Sequence, residues 1–166
     1  FVYQAEKVCG NRMNYRKGIC CIIKREDRFL LFHRIQNWRG WEFLKGGLKL
    51  GETEKKALHR ELKEETGNTR FSLKKTRYKI KYKWKNHFIK DDHVFMGSIE
   101  TLYLARFLGD KRIKIDKSEH DKFKWVRKED VLKYLTYPER RKAFLYAIKK
   151  FDDYVSVKDY GAIGDG

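Results

Sequence analysis

Three glutamates, Glu61, Glu64 and Glu65, stand within five consecutive residues of the chain. On a helix, offsets of three and four residues bring all three carboxylates to one face. Carboxylates held so close repel one another, so the cluster lowers stability unless a cation neutralises it. Carboxylate oxygens are hard ligands that suit magnesium, with manganese as the alternative, better than zinc. The spacing therefore predicts a divalent metal site on a helix.

A glycine-rich segment, residues 45–51, precedes these glutamates. Because glycine allows close approach of the backbone, the carbonyl of Gly46 is a candidate further metal ligand. Glu52 lies eight residues before Arg60, at the start of the helix, where the two side chains can form an ion pair. Such a pair fixes the loop against the helix. We therefore expect Glu52 and Arg60 to orient the site rather than to react.

These residues together resemble the signature of a known family. The spacing of the Nudix box is matched by Gly46, Glu52, Arg60-Glu61-Leu62, Glu64-Glu65 and Gly67. The chain is thereby similar to the Nudix hydrolases, which implies an α/β fold with a mixed β-sheet sandwiched between α-helices. Two positions depart from the family pattern, because Leu44 stands where many members have proline and Asn68 where an aliphatic residue is usual.

The resemblance also implies a reaction, the attack of water on a diphosphate linked to another moiety. It assigns Glu61, Glu64 and Glu65 to the divalent ions, with the carbonyl of Gly46 as a further ligand. Bound magnesium can neutralise the phosphates, hold them in line and activate the water. One glutamate must take the proton of that water. Which glutamate does so stays open, since family members differ.

A second, weaker resemblance lies downstream of the box. Glu119-His120, followed by Phe123, Lys124 and Trp125, resembles the Glu-His-x-x-aromatic-basic-Trp segment of the asymmetric dinucleoside tetraphosphate hydrolases. In such relatives a glutamate at this place supplies a metal ligand or the base, so Glu119 is a candidate for either role. His120 is a candidate phosphate ligand, with an ordinary surface position as the alternative.

Positive charge is concentrated in residues 70–90, which hold nine Lys or Arg and no Asp or Glu. Between residues 78 and 85, lysines alternate strictly with Tyr, Ile, Tyr and Trp. A period of two predicts a strand with one aromatic face and one basic face. An edge strand protected by its lysines is the plainer interpretation.

Several residues near these motifs are candidate substrate contacts. Dinucleotide-polyphosphate hydrolases place a base-stacking aromatic on this strand, which makes Tyr82 and Trp84 candidates. Lys83 offers charge to a polyphosphate or to RNA, and Lys45 lies beside the glycines of the box. Trp38, in a polar run ahead of the glycine-rich segment, is a further candidate for stacking on a base.

Length and composition limit the class of protein. The 166 residues carry 40 Lys plus Arg against 23 Asp plus Glu, a formal charge of +17 that favours polyanionic partners. Such a length suits one domain with its own core, and 15% aromatic residues exclude disorder for most of it.

Three cysteines, two of them adjacent, predict reduced and mostly buried thiols in a cytoplasmic protein. The sequence contains no run of 18 apolar residues, so no membrane span is predicted.

The remaining elements follow from periodicity and capping residues. We expect a hairpin of residues 18–24 and 29–33, a helix from Thr53 to Thr66 closed by Gly67, strands over 94–107 and 123–126, and helices over 128–135 and 139–151. Residues 1–151 are therefore predicted to form a single domain. Residues 152–166 are predicted to be a loose C-terminal tail.

Three functions are compatible with these motifs. The first is magnesium-dependent hydrolysis of a nucleoside polyphosphate, with diadenosine tetraphosphate, cleaved to ATP and AMP, as the leading substrate. The alternative enzyme is an RNA 5′ pyrophosphohydrolase or decapping enzyme, which the basic strand would suit. The third is an RNA-binding protein with the Nudix fold and little turnover, against which the intact box argues. No membrane partner is expected, and the choice between monomer and dimer stays open.

Overall fold

The computed structural model describes residues 14–90, 92–110 and 112–161. Seven strands are found in this part of the chain: β1 (Tyr15–Arg25), β2 (Arg28–Arg34), β3 (Gly40–Glu42), β4 (Leu44–Gly47), β5 (Phe71–Lys90), β6 (His93–Phe107) and β7 (His120–Arg127). The described helices are α1 (Glu54–Thr66), α2 (Val131–Tyr134) and α3 (Pro138–Gly161), and a 3-10 turn, Lys128–Asp130, leads into α2. None of these helices combines the length and apolar character that crossing a bilayer requires.

The strands form a mixed sheet. Its order is β3-β2-β1-β6-β5, with β4 paired to β1 and β7 paired to β2. The pair β1 and β6 is parallel, with Tyr15 opposite Gly97, while the other pairs are antiparallel. The long strand β5 lies at one edge, and its basic and aromatic residues alternate in exposure as predicted.

Helices cover both faces of the sheet, so the predicted sandwich is confirmed. One hydrophobic cluster joins the sheet to α2 and α3 and includes Cys20 and Phe144. The other joins the opposite face to α1 and includes Cys21 and Leu58. Successive residues of a strand point to opposite faces, which puts the two adjacent thiols into different clusters. Both are buried and free, as predicted, while Cys9 lies outside the described residues.

The predicted helix after the glycine-rich segment is confirmed at both ends. Thr53 has extended backbone, and its hydroxyl accepts a hydrogen bond from the N–H of Lys56 at 3.2 Å. Gly67 has a φ of 67° and closes the helix by donating its N–H to the carbonyl of Lys63 at 2.9 Å. A left-handed residue at this position is unstrained only in glycine. The predicted β1–β2 hairpin is also confirmed.

Two predictions about segments need correction. The glycine-rich segment is not wholly a loop, because its first residues belong to β4 and pair with β1, Gly46 opposite Ile19. Helix α3 continues beyond Phe151 to Gly161, into the segment predicted to be a loose tail. The sequence from Phe151 to Gly161 contains no proline or internal glycine that would stop a helix. Residues 162–166 lie outside the described part of the chain.

Candidate active site

The Gly46 backbone lies directly against the Glu61 side chain. A Cβ atom at Gly46 would lie 2.1 Å from Oε1 of Glu61, a distance that no side chain can occupy. On the neighbouring strand, a Cβ at Gly18 would lie 2.7 Å from the carbonyl oxygen of Gly46. Glycines at both positions therefore let the β4 backbone approach the helix carboxylate and leave space beside the Gly46 carbonyl.

Arg60 joins the glutamates of α1 to the segment that precedes the helix. Its guanidinium donates to both carboxylate oxygens of Glu52, each at 2.8 Å. It also donates to Glu61 at 2.7 Å and to Glu64 at 3.3 Å. A fifth contact reaches the carbonyl oxygen of Gly47 at 3.2 Å. The predicted ion pair between Glu52 and Arg60 is therefore formed. This bidentate bond lowers the pKa of Glu52 to about 2.

The carboxylate cluster carries an electrostatic cost in the absence of a cation. Burial raises the pKa of Glu61 to about 7, against the opposing effect of Arg60, and the neighbouring Glu65 and Glu64 add to the rise. Glu61 lies against the Gly46 backbone and shares the Arg60 guanidinium with Glu64, so the donors predicted for an ion here are hard oxygens. This donor set fits magnesium or manganese, and a divalent cation would remove the repulsion between the glutamates.

His120 bridges Glu65 to a second buried glutamate. Its Nδ1 lies 2.8 Å from Oε2 of Glu65, and its Nε2 lies 3.0 Å from Oε1 of Glu42. Burial alone would lower the pKa of this imidazole, but the contacts with Glu42 and Glu65 raise it to about 9. The side chain is buried and Nε2 is hydrogen-bonded to Glu42, whereas Nδ1 and Oε2 of Glu65 are close enough for an ion pair but do not form a hydrogen bond. His120 is therefore not the surface residue that was the alternative prediction, and its contact with a phosphate stays a prediction.

Glu119, the candidate outside the box, lies beside this bridge. One carboxylate oxygen of Glu119, one of Glu65 and a ring nitrogen of His120 all fall within 4.8 Å of one another. Burial and the charge of Glu65 raise the pKa of Glu119. Arg34 holds the region together, since its Nη1 lies 3.1 Å from Glu42 and 3.6 Å from Glu119. The structure therefore brings Glu119 to Glu65, one of the three glutamates of the box.

Lys45 and Trp38 meet next to the β4 backbone. The ammonium of Lys45 lies 3.1 Å from Oε2 of Glu42 and 5.8 Å from the centre of the Trp38 ring. Trp38 also makes an edge-to-face contact with Tyr137, with ring centres 5.1 Å apart, and Tyr137 is 46% exposed. This arrangement sets the Lys45 cation beside the Trp38 ring, which in turn contacts Tyr137.

The predicted contacts on β5 have different environments. The Tyr82 hydroxyl donates to Glu100 at 2.9 Å and lies 3.3 Å from Nη2 of Arg140, so it belongs to a buried polar network. Burial and Glu100 raise the pKa of Tyr82. Trp84 is half-buried and packs edge-on against Phe88, while Lys83 is exposed. Stacking of Tyr82 or Trp84 on a base stays a prediction.

Sequence reasoning missed Glu42 and Arg140, two buried charges that organise this region. Arg140 is buried in α3 and pairs with Glu100 through the two terminal nitrogens of its guanidinium, Nη1 and Nη2. Both residues carried a detectable signal, because Glu42 interrupts an apolar run and Arg140 precedes Phe144 by four residues on the apolar face of its helix. A charged residue at a core position indicates a buried partner.

Comparison with known proteins agrees with this geometry. The NUDIX domain profile matches residues 14–147. The chain therefore belongs to the Nudix hydrolases, enzymes with pyrophosphohydrolase activity that generally use divalent metal ions.

Individual relatives extend the comparison. The chain is 34% identical over 126 residues to an RNA pyrophosphohydrolase of Baumannia cicadellinicola subsp. Homalodisca coagulata, covering 70% of this chain and 79% of that protein. An RNA pyrophosphohydrolase of Coxiella burnetii is 32% identical over 127 residues, which is 70% of this chain but only 56% of the relative. The crystal structure of a C. elegans Ap4A hydrolase binary complex has a TM-score of 0.65 at 24% identity, covering 85% of this chain and 98% of that one. At that identity the likeness concerns the fold.

Proposed function

We propose that this enzyme removes pyrophosphate from the 5′ end of triphosphorylated RNA, with magnesium as its ion. The glutamate cluster around Gly46 and Glu61 supports the reaction class. The choice of substrate is carried by the identity of 34% to an RNA pyrophosphohydrolase over most of both chains. In this reaction the bond between the α- and β-phosphates breaks, a water oxygen joins phosphorus, and the products are pyrophosphate and RNA with a 5′-monophosphate.

The side chains divide between holding an ion and handling a proton. Glu61, Glu64, Glu65, Glu119 and the Gly46 carbonyl would hold magnesium, which when bound neutralises phosphate charge and acidifies water. The carboxylates of Glu61 and Glu65 are buried, whereas those of Glu64 and Glu119 are 50% and 38% exposed. The two exposed carboxylates are therefore the better placed to accept the proton of the attacking water. Arg60 keeps the cluster in register with β4.

The entrance of the site offers contacts for the rest of the substrate. The Lys45 ammonium, held by Glu42, is placed to contact a phosphate oxygen. The exposed Tyr137 ring, backed edge-on by Trp38, offers a face on which a base can stack. The buried reduced thiols of Cys20 and Cys21 support a cytoplasmic location, where RNA is available.

Diadenosine tetraphosphate is the second candidate substrate. The Glu119-His120 segment favours it through its resemblance to the asymmetric hydrolases. A dinucleoside polyphosphate also presents a phosphate chain and a base, so the same lysine and aromatic pair suit it. Because the glutamate cluster acts on either anhydride, the choice depends on contacts outside the box.

The test is hydrolysis of RNA that carries a radiolabelled 5′-triphosphate, with and without magnesium. We expect labelled pyrophosphate and 5′-monophosphorylated RNA to appear only with the ion, and the Glu64→Gln protein to be at least about 100-fold slower. Glu129→Gln, an exposed glutamate on the 3-10 turn, is the matched control and keeps full activity. The proposal is contradicted if the triphosphorylated RNA stays intact after prolonged incubation with folded wild-type protein and magnesium.

A further inference from the structure

A group of lysines on one face of the sheet includes Lys83 and extends beyond the glutamate cluster. Lys17 of β1 and Lys81 of β5 both stand opposite Ile99 of the intervening strand β6. In the same way, Tyr15 and Lys83 both stand opposite Gly97. Directly opposed residues share a face of the sheet. We call this group, Tyr15, Lys17, Lys81 and Lys83, the basic strip.

The lysines of the strip are not neutralised within the described part of the chain. Lys75 and Lys79, further along β5, lie 2.9 Å and 3.7 Å from the carboxylate of Glu54. In contrast, Lys17, Lys81 and Lys83 are exposed and form no ion pair with any described carboxylate. Unpaired lysines so close together repel one another, which leaves a positive surface that attracts a polyanion.

An aromatic ring lies between these charges. The ammonium of Lys81 sits 4.4 Å from the centre of the Tyr15 ring. A Cβ at Gly97 would lie 2.7 Å from the same ring, so the absence of a side chain at Gly97 lets Tyr15 lie close against the sheet. Lysines interleaved with a half-buried aromatic are the combination that binds single-stranded nucleic acid, by phosphate contacts and by base stacking.

The strip is continuous with the candidate active site. The N–H of Leu48 donates to the carbonyl of Lys17 at 3.0 Å, which joins the strip to the segment that follows β4. The preceding residue, Gly47, accepts from Arg60, whose other bonds reach the catalytic glutamates. A chain whose 5′ phosphates occupy the glutamate cluster can therefore pass over this segment onto the strip.

The spacing of the charges favours a long ligand over a small one. Lys81 and Lys83 are two residues apart, about 7 Å along the strand, and Lys17 lies two strands away, about 10 Å. Such charges spread along a chain of phosphates instead of converging on one. We propose that the basic strip binds the body of single-stranded RNA downstream of its 5′ end. The choice of RNA rests on the proposed function.

The experiment measures binding and turnover separately. The triple variant Lys17→Gln, Lys81→Gln, Lys83→Gln is compared with a control of equal charge change at three exposed lysines elsewhere, Lys128, Lys142 and Lys149. Fluorescence anisotropy with a 5′-hydroxyl 20-nucleotide RNA gives affinity over a salt series. Hydrolysis of a triphosphorylated dinucleotide and of a triphosphorylated 20-mer gives the ratio of the two KM values.

For the strip variant we expect affinity to fall at least about fivefold and the slope of log K against log salt to become shallower by about 2. The KM for the 20-mer rises relative to that for the dinucleotide, and the control changes neither. Unchanged affinity, an equal loss in the control, or wild-type protein that binds anionic phosphatidylserine vesicles but not RNA would overturn the inference. If the strip binds RNA but no pyrophosphate is released, the proposed function fails and the inference stands.

Discussion

The Nδ1 atom of His120, at the start of β7, lies 2.8 Å from the carboxylate of Glu65 near the end of α1. The same ring hydrogen-bonds Glu42 through Nε2 at 3.0 Å, so one imidazole lies between two buried carboxylates. Through this bridge Glu65, a candidate metal ligand, is linked to Glu42, which forms an ion pair with Lys45. The candidate metal ligands and the candidate substrate contacts are therefore parts of one connected network.

Replacing His120 by glutamine tests this bridge. The amide carries no charge, so Glu42 and Glu65 remain buried with less compensation. Removing one partner of a buried charge group costs about 3–5 kcal/mol, which for a domain of this size lowers Tm by roughly 6–20 °C. The measurement is thermal unfolding followed by circular dichroism.

The matched control for that variant is His33→Gln. His33 pairs with Asp121 at 2.6 Å, but Asp121 lies at the surface, so water replaces the lost contact. We expect Tm to stay close to the wild-type value. Equal Tm values for the His120 and His33 variants would refute the bridge as a stabilising element.

Gly46→Ala tests the close approach of the β4 backbone to the helix. The new methyl group must displace the Glu61 carboxylate, because its position lies 2.1 Å from Oε1. A misplacement of about 1 Å at a catalytic group costs roughly 100-fold, and we expect kcat to fall by at least that factor.

Gly51→Ala serves as the comparison for the Gly46 variant. Gly51 has a φ of 73°, and a Cβ atom there would have no neighbouring atom within 4 Å. Alanine at this position therefore adds backbone strain of about 1–2 kcal/mol but no clash. Its kcat at low temperature should match the wild type. If Gly46→Ala retained full kcat, the Gly46–Glu61 contact would have no part in catalysis.

The acid side of the stability profile should depend on Glu54. Burial raises the pKa of this carboxylate, but bonds from Lys75, Thr101 and Tyr103 outweigh it and lower the pKa from 4.5 to about 2. A depressed folded-state pKa stabilises the protein above pH 4.5, and that contribution disappears as the pH falls towards 2. Urea unfolding between about pH 6 and pH 2.5 should show a shallower decline for Glu54→Gln than for wild type. Parallel profiles would contradict the assignment.

Tyr82→Phe separates a structural role from a substrate role. The variant keeps the ring but loses the hydroxyl that bonds Glu100 and Arg140, and we expect about 1–3 kcal/mol less stability with an unchanged KM. Tyr78→Phe, four residues earlier on the same strand, is the control. Unaltered stability together with a raised KM would return Tyr82 to the substrate site.

The parts of the site that lie close in sequence were predictable. The periodicity of one helix fixes the relation of Glu61, Glu64 and Glu65, and capping residues fix its ends at Thr53 and Gly67. The bridge was not predictable, since Glu42 and His120 lie 78 residues apart and meet only when β3 and β7 both pair with β2. The strand character of Gly46 likewise depends on its partner β1. Local spacing indicates the reaction class, and tertiary pairing decides the surroundings.

A competition assay tests the central claim most directly. Wild-type enzyme and magnesium are mixed with equal concentrations of triphosphorylated RNA and diadenosine tetraphosphate, and the two products are followed in one tube, so the ratio of rates equals the ratio of kcat/KM. We predict that RNA is consumed first, with pyrophosphate released, and that Glu64→Gln stops both reactions. Preferential formation of ATP and AMP while the RNA keeps its triphosphate would contradict it.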